Sequence, residues 1–509
     1  MSDNYYITTP IFYVNDLPHI GHAYTSIACD VISRHMRLSG KNVKFLTGTD
    51  EHGQKVEKSA EKAKISSQDF ADKTSEAFRQ MAENLNLSHD DFIRTTEKRH
   101  KNAVQNFWKK LDDSGNIYQG SYSGWYSVRD EAYYSKDELT EDGLAPTGAP
   151  VEWVEEPSYF FELSKWQDKL LEYYENNPDF IWPKSRRNEV ISFVKNGLID
   201  LSISRTSFKW GVEVPGNEEH VIYVWLDALT NYISALGYPE QTDELSNFWP
   251  ASAHVVGKDI LRFHAVYWPA FLMAAGIELP KSIVAHGWWT NEGEKISKSL
   301  GNVINPFELI EEFGLDPVRY FLMREVTFGN DGNFSKENLI TRNNSELANK
   351  IGNLLQRTSS FAYKHCQQKI PLIDTSYIDT IYDSELFKEM LSLIKENNSH
   401  MEAFNINKVL DNIIHIADQA NAYIDTEAPW SLRKSDPEKM QQVLYSLLEV
   451  SRYLGIALQA FIPDAASKML DQLGINNGQR KFANLTKEFA LKPGASLQEP
   501  KPIFPRIQL

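Results

Sequence analysis

The opening fifty residues constrain the fold more than any other stretch of the chain. Tyr5 to Phe12 is rich in aromatic and β-branched residues and reads as a buried strand. A turn follows at Val14-Asn15-Asp16-Leu17-Pro18, with Pro18 placed as a first helical residue and Asn15 and Asp16 available as caps. Ile20, Tyr24, Ile27, Val31 and Ile32 recur at helical spacing, and Gly40 closes the helix. A second strand, Val43 to Gly48, runs into Asp50-Glu51-His52-Gly53. A strand, a helix and a strand in this order form a crossover unit, and the crossover makes the strands parallel. The chain therefore begins as an α/β protein with a parallel sheet of the nucleotide-binding kind.

The alternation is interrupted over 116–214. Strand-like aromatic runs (Gly124-Trp125-Tyr126, Ala132-Tyr133-Tyr134, Ser158-Tyr159-Phe160-Phe161) and the turn residues Gly143, Pro146 and Gly148 predict an inserted domain there. The α/β pattern resumes at His220 to Asp227. It continues through a strand Ala253 to Gly257, a helix Asp259 to Ala275 and a strand Ser282 to Ala285. Beyond Asn343 strand signals vanish, and amphipathic helical periods run to about Leu473, which predicts a helical bundle. Pro493, Pro500, Pro502 and Pro505 exclude a terminal helix, and Ile503-Phe504 predicts a tail that packs back on the body. The expected divisions are 1–115 and 215–290 for the two halves of the sheet domain, 116–214 for the insertion, 291–345 for a glycine-flanked lysine loop and the region beside it, and 346–509 for the bundle and tail.

Two cysteines, Cys29 and Cys366, suit reduced thiols better than a disulfide framework and exclude a four-cysteine zinc site. The sequence has no apolar run long enough to span a bilayer, and Met1 to Tyr6 lacks the basic and apolar regions of a secretory signal, so a cytoplasmic protein is expected. The formal net charge of −16 by itself argues against a nucleic-acid partner, but a local basic groove can coexist with an acidic remainder.

Two motifs carry chemistry. Pro18-His19-Ile20-Gly21-His22 follows the first strand and opens the first helix. His19 and His22 share one helix face, Gly21 lets a charged ligand approach the backbone, and a helix N-terminus favours phosphate. Lys295-Ile296-Ser297-Lys298-Ser299, between Gly293 and Gly301, is a cationic loop able to close over a polyphosphate. Taken singly, each has a plainer reading, as surface histidines or half a metal site, and as a solvated basic loop.

Together, in this order and context, the two motifs resemble the paired signatures of class I aminoacyl-tRNA synthetases. Five further segments resemble the methionyl-tRNA synthetases: Pro10-Ile11-Phe12-Tyr13, Gly48-Thr49-Asp50-Glu51-His52-Gly53, Tyr223-Val224-Trp225-Leu226-Asp227-Ala228, Gly257-Lys258-Asp259 and His286-Gly287-Trp288. The likeness runs from about Tyr5 to Pro505. It implies a Rossmann-type catalytic domain with an inserted connective domain, followed by an all-α anticodon-binding bundle. It also implies ATP with Mg²⁺, L-methionine and tRNA(Met), the initiator included, as substrates, and no membrane partner. His19, Gly21, His22, Lys295, Ser297 and Lys298 would bind ATP, with the two histidines and two lysines catalytic. Asp50 would hold the methionine ammonium, and Ile11, Tyr13, Trp225, Ala228, Tyr232 and His286 would surround the side chain. Carboxylate for ammonium and aromatic surface for thioether are sound chemistry. In the bundle, Asn353, Arg357, Pro429 and Trp430 match the anticodon-binding positions, where Trp430 would stack on an unpaired base. Many relatives carry a zinc knuckle in the insertion. Here Ser127, Asp130, Ala145 and Gly148 stand at the ligand positions, so no zinc is expected.

Rival readings are weaker. Synthetases for leucine, isoleucine or valine carry a much larger editing insertion than the roughly hundred residues here. A cysteine enzyme would use a metal-bound thiolate scheme that this chain cannot supply. The intact His and Lys pairs speak against a non-catalytic tRNA-binding paralogue, and the helical region speaks against a small nucleotidyltransferase. A pocket separating methionine from homocysteine by one methyl gains only about 1–3 kcal/mol, so some editing is expected. The sequence up to Leu509 shows none of the appended domains that dimerise some relatives, which favours a monomer.

Overall fold

The opening aromatic run forms the strand Asn4–Thr8, buried on both faces, at the middle of a seven-stranded sheet. The computed structural model describes residues 4–15, 17–130, 132–296 and 302–508. They fold as two units, one built from Asn4–Pro18 and Lys44–His286, the other from His19–Val43 and Gly287–Leu509.

In the first unit, Asn4–Thr8 lies between Asn42–Asp50 and Ala253–Gly257. Ile283–His286 and Ile181–Trp182 extend the sheet past Ala253–Gly257, while Phe12–Tyr13 and Asp91–Arg94 pair with Asn42–Asp50. The registers are parallel, with Ile7 opposite Ala253, Val255 opposite Val284, Val284 opposite Trp182 and Gly48 opposite Ile93. The chain builds one side of Asn4–Thr8 first and then returns to build the other. That reversal makes a switch point, where parallel sheets bind ligands beyond the strands' carboxyl ends. Asp50, Gly257 and His286 all lie at such ends.

Several elements depart from the expected ones. The strand expected over Tyr5 to Phe12 is split into Asn4–Thr8 and Phe12–Tyr13 around Pro10, which has no N–H for a ladder. The helix expected from Asp259 to Ala275 is a 3₁₀ turn Lys258–Ile260, a π segment Phe263–Tyr267 and an α-helix Trp268–Ala274. Pro269 cannot donate to the carbonyl of Ala265, and the Tyr174 hydroxyl answers that carbonyl instead at 2.5 Å. The segment expected to resume the parallel sheet, His220 to Asp227, does not join it. Its strand Asn217–Ile222 pairs antiparallel with Ser204–Arg205 and Glu213–Val214, and Val224–Leu229 is helical. The range 116–214 does hold an antiparallel sheet of four strands, dominated by Ile117–Ser127 paired with Glu152–Phe161. It also contributes Ile181–Trp182 to the main parallel sheet, so the expected boundary cuts through the core.

The second unit begins with the helix Ile20–Leu38. Asp30, fully buried on it, accepts from Arg319 at 2.6 Å and from Arg34 at 2.7 Å, and Arg319 donates further to the carbonyls of Phe461 and Ala460. A buried guanidinium persists where a carboxylate and carbonyls meet its donors, as they do here at Nε and Nη2. The helix Pro437–Leu458 is not amphipathic: every residue from Val443 to Leu458 is buried, which marks it as the axis of the bundle. Its one buried ion pair, Glu449 with Arg452, also engages the Tyr382 hydroxyl and the backbone of Leu491 and Asn484. Phe504 in the proline-rich tail is buried, and Asn343 and Asn344 donate to the carbonyls of Pro505 and Ile507. Cys29 is buried and Cys366 half-buried, both as free thiols, and burial pushes the Cys366 thiol up to about 11. Among the described residues no helix is long and apolar enough to cross a membrane.

Burial lowers His35 in the second unit to about 4, and lowers His264 in the first to about 4. Both sit below the value near 6.5 of an unfolded histidine, so the unfolded chain takes up protons first as pH falls. Stability should therefore drop between pH 6.5 and 4, by roughly 1–2 kcal/mol per histidine at pH 5. Asp316, raised to about 6 chiefly by burial, works in the opposite direction and offsets part of this. Calorimetric scans at pH 7, 6 and 5 should show falling transition midpoints, with a shallower fall in His264→Asn. A flat profile would contradict the neutral burial of these rings.

Candidate active site

His19 is the N-cap of its helix, in extended conformation at φ −133°. The cap is thus His19 itself and not Asn15; Asp16, the other expected cap, lies outside the described residues. His19 Nδ1 accepts from the Gly21 N–H at 3.1 Å, and His22 Nδ1 accepts from the His19 N–H at 3.1 Å. The two rings stack with centroids 3.8 Å apart. A Cβ on Gly21 would lie 2.9 Å from the His19 ring, so glycine is needed for this fold-back and not solely for ligand approach. With Nδ1 accepting in both rings, each neutral imidazole carries its proton on Nε2, a donor suited to phosphate oxygen. Burial, reinforced by His19, holds His22 well below the usual histidine range, so it is a neutral donor.

The lysine loop belongs to the same unit. Trp289–Asn291 and Glu294–Lys295 form a hairpin across Glu292-Gly293, both at positive φ, the geometry of a tight two-residue turn. Lys295 therefore starts the loop from a strand. Ser297 and Lys298 lie outside the described residues. The Asn302 carbonyl accepts from Asn291, and the Ile304 carbonyl accepts from the Ile20 N–H at 3.0 Å. The loop's exit is thereby tied to the first residue of the histidine helix. Tyr24 of that helix meets Trp289 edge-on at 5.5 Å.

In the first unit, Tyr13, Asp50 and His286 of the expected methionine-binding residues lie at the carboxyl ends of sheet strands. Asp50 ends its strand opposite Tyr13, and both Asp50 and His286 are buried. Ile11 and Tyr13 are half-buried, and Lys55 Nζ lies 5.0 Å from the Tyr13 ring centroid. Trp225 stacks on Phe263 at 3.8 Å, and its indole N–H is buried without an acceptor. Ala228 is buried one turn along the same helix. Tyr232 is fixed at three points. Its hydroxyl meets His264 Nε2 at 2.7 Å, its carbonyl accepts from the Tyr6 hydroxyl, and its ring stacks on His254 at 3.9 Å. His264 Nδ1 faces the Ile260 carbonyl, which can only accept, so Nε2 accepts from Tyr232.

The knuckle region does not fit structural zinc. Ser127 and Asp130 supply a hydroxyl and a carboxylate where soft ligands would be needed, and Ala145 and Gly148 supply no side-chain donor. The Asp130 carboxylate accepts from Thr147 at 2.5 Å and from Tyr134 at 3.1 Å, and its N–H donates to Ser127. Among the described residues no cluster of three metal-ligating side chains occurs.

In the bundle, Arg357 and Trp430 come together. The guanidinium lies 5.2 Å from the Trp430 ring centroid and donates to Asp425 at 2.8 Å. Trp430 is 44 % exposed and so does not act as a core anchor. Asn353 is exposed at the start of the helix Asn353–His365. Pro429 is buried as the first residue of the helix that carries Trp430.

Sequence reasoning missed the groups that hold this edge of the sheet. Glu51, fully buried, receives Arg94 at 2.6 and 3.0 Å and the hydroxyls of Thr49 and Thr96. Asp227 receives His52 at 2.7 Å and His100 at 2.8 Å. Three consecutive ionisable residues, Asp50-Glu51-His52, at a strand end were a local signal of buried charge. Arg94 and His100 gave none.

A family model described as tRNA synthetases class I (M) matches residues 5–146 and 137–359, and one described as the anticodon binding domain of methionyl tRNA ligase matches 378–508. The chain is 66 % identical over 508 residues to a methionine–tRNA ligase of Rickettsia felis, covering 100 % of this chain and 99 % of that one. It is 53 % identical over 508 residues to a methionine–tRNA ligase of Brucella suis, covering 99 % and 98 %. Among solved structures, Mycobacterium tuberculosis methionyl-tRNA synthetase in complex with methionyl-adenylate is similar with a TM-score of 0.95 at 47 % identity, over 99 % of this chain and 100 % of that one.

The ion pair of Glu51 with Arg94 gives a stability test. Arg94→Ala would leave a buried carboxylate without its cation, at a cost of about 3 kcal/mol. Arg94→Lys should recover only part, because an ammonium cannot reproduce the two-pronged contact. Denaturant unfolding of both variants measures this, and an unchanged midpoint in Arg94→Ala would refute it.

Proposed function

The chain belongs to the methionyl-tRNA synthetases of class I, and on that premise we propose that it joins L-methionine to tRNA(Met) in two steps at the residues described above. A methionine carboxylate oxygen attacks the α-phosphorus of ATP, the bond to the β-phosphate oxygen breaks, and pyrophosphate leaves. A ribose hydroxyl at the tRNA 3′ end then attacks the adenylate carbonyl, and AMP leaves. Little covalent chemistry falls to the protein, so alignment and charge stabilisation carry the rate. Mg²⁺ enters with the ATP phosphates and neutralises part of their charge.

In this reading His19 and His22 donate from Nε2 to ATP phosphate oxygens, with the bare Gly21 between them. Lys298 stabilises the pentavalent phosphorus, assisted by Lys295 and Ser297. Asp50 binds the methionine ammonium, and Ile11, Tyr13, Trp225, Ala228, Tyr232 and His286 enclose the side chain. The buried Trp225 N–H supports a pocket that a ligand completes, because an orphaned donor is costly without one. Asn353, Arg357 and Trp430 read the anticodon, with Pro429 setting the start of the helix that presents Trp430. The reaction runs without zinc, in the cytoplasm, on a single copy of the chain.

The observation that carries this reading is the hydrogen bond from Ile20 to Ile304. It joins the start of the histidine helix to the exit of the lysine loop, as convergence on one triphosphate requires.

Methionine-dependent ATP–pyrophosphate exchange tests the first step. Lys298→Ala should lower its rate about a hundredfold with methionine affinity nearly unchanged, the scale for one transition-state donor. Unaltered exchange would remove Lys298 from the mechanism. For the second step, Trp430→Ala should weaken tRNA charging by roughly 1–3 kcal/mol, the scale of one base stack. Adenylate formation should stay intact; its parallel loss would assign Trp430 a structural role instead.

A further inference from the structure

We propose that Asp227 is a positioning residue for methionine: through His52 and His100 it fixes the span between the ammonium-binding Asp50 and the apolar wall at Trp225 and Ala228. This rests on the reading of the methionine pocket given above.

Methionine is read at two ends, an ammonium and a thioether, so its pocket needs a fixed length. The two ends of the pocket come from segments that no sheet ladder joins. Asp50 ends a strand and is followed by a loop, Glu51-His52-Gly53, in which Gly53 has φ +110°. Trp225 and Ala228 sit on Val224–Leu229, a helix of six residues, too short to hold itself. Asp227 lies between them on that helix and His52 lies two residues past Asp50. His52 Nδ1–H donates to Asp227 Oδ2 at 2.7 Å, a direct strut between the two segments.

The strut is braced from behind. His100, on the helix Lys98–Asp113, donates from Nε2 to Asp227 Oδ1 at 2.8 Å, and its Nδ1 meets Ser234 Oγ at 2.9 Å. All three side chains are at most 2 % exposed. In such a dry site charge-assisted hydrogen bonds are strong and directional, and one carboxylate with both oxygens engaged cannot rotate. Glu51 with Arg94 secures the same loop toward the neighbouring strand Asp91–Arg94, and Trp210 ties its backbone through the Glu51 carbonyl and the Gly53 N–H, while the contact with the Trp225 helix itself runs through Asp227.

Kinetics of ATP–pyrophosphate exchange on the full-length enzyme, normalised to active sites by adenylate burst, test this. His52→Leu and His100→Leu should each raise the methionine KM about tenfold, with ATP KM and kcat within about twofold of wild type. Preference for methionine over its S-ethyl homologue should narrow. His52→Gln, which can still donate to Asp227, should restore most of the methionine KM. Asp50→Asn serves as reference and should raise that KM strongly. If it does and the Leu variants do not, the strut is refuted while the pocket stands. If Asp50→Asn has no effect, the pocket and the strut fall together. Equal changes in methionine and ATP KM, or lost stability with unchanged KM, would reduce Asp227 to a structural anchor and overturn the proposal. Should the Leu variants fail to fold, the isosteric Asp227→Asn is judged by the same criteria.

Discussion

The loop that leaves the strand Asn42–Asp50 is held by buried charge on both flanks, and the candidate amino-acid site depends on it. A carboxylate stays ionised inside a protein only when opposite charge and hydrogen bonds replace its water. Glu51 meets this condition with Arg94 and two threonines, and Asp227 meets it with His52 and His100. Burial would push the Asp227 carboxyl up, but the two histidines outweigh it and hold the group well below the usual carboxylate range. Asp50 directly precedes Glu51, at the end of a strand held in register by Asp50 with Tyr13 and Gly48 with Ile93. Asp50 thus inherits its position from the strand that it ends and from the charge pairs of its neighbours.

The second unit solves a parallel problem for the histidine helix. Its first N–H is bonded to Ile304, its middle is pinned by Asp30 with Arg319, and its last turns are tied to Asn398 and Glu402 through His35, Ser39 and Lys41. Arg319 also grips the carbonyls of Ala460 and Phe461, so the same guanidinium anchors the end of the bundle's axial helix. The two imidazoles at the helix start accept backbone N–H groups at Nδ1. Burial, with His19 beside it, holds His22 well below the usual histidine range.

Local pattern made much of this legible. Tyr6 and Ile7 are buried because an aromatic and β-branched run can satisfy a central strand, and the helical period from Ile20 persists to Leu38. The irregular tail followed from its four prolines, which cannot donate to a helix. Other features were not legible. Two residues, Ile181–Trp182, carry no period, yet they form the sheet's edge strand. The run His220 to Asp227 has the composition of a parallel strand, but its neighbours in space made it antiparallel and then helical. The axial helix Pro437–Leu458 lost its amphipathic stripe because partners surround it, a property of packing and not of the segment.

The sequence by itself determined the α/β beginning, the helical remainder and the family, since strand, helix and turn preferences and short motifs act over a few neighbouring positions. Only the tertiary structure decided which groups hold those residues still. His52, His100 and Asp227 are separated by 48 to 175 positions, and nothing local requires them to meet. A buried carboxylate draws its partners from wherever the fold brings a donor within about 3 Å, and that choice is made only once the chain has closed on itself.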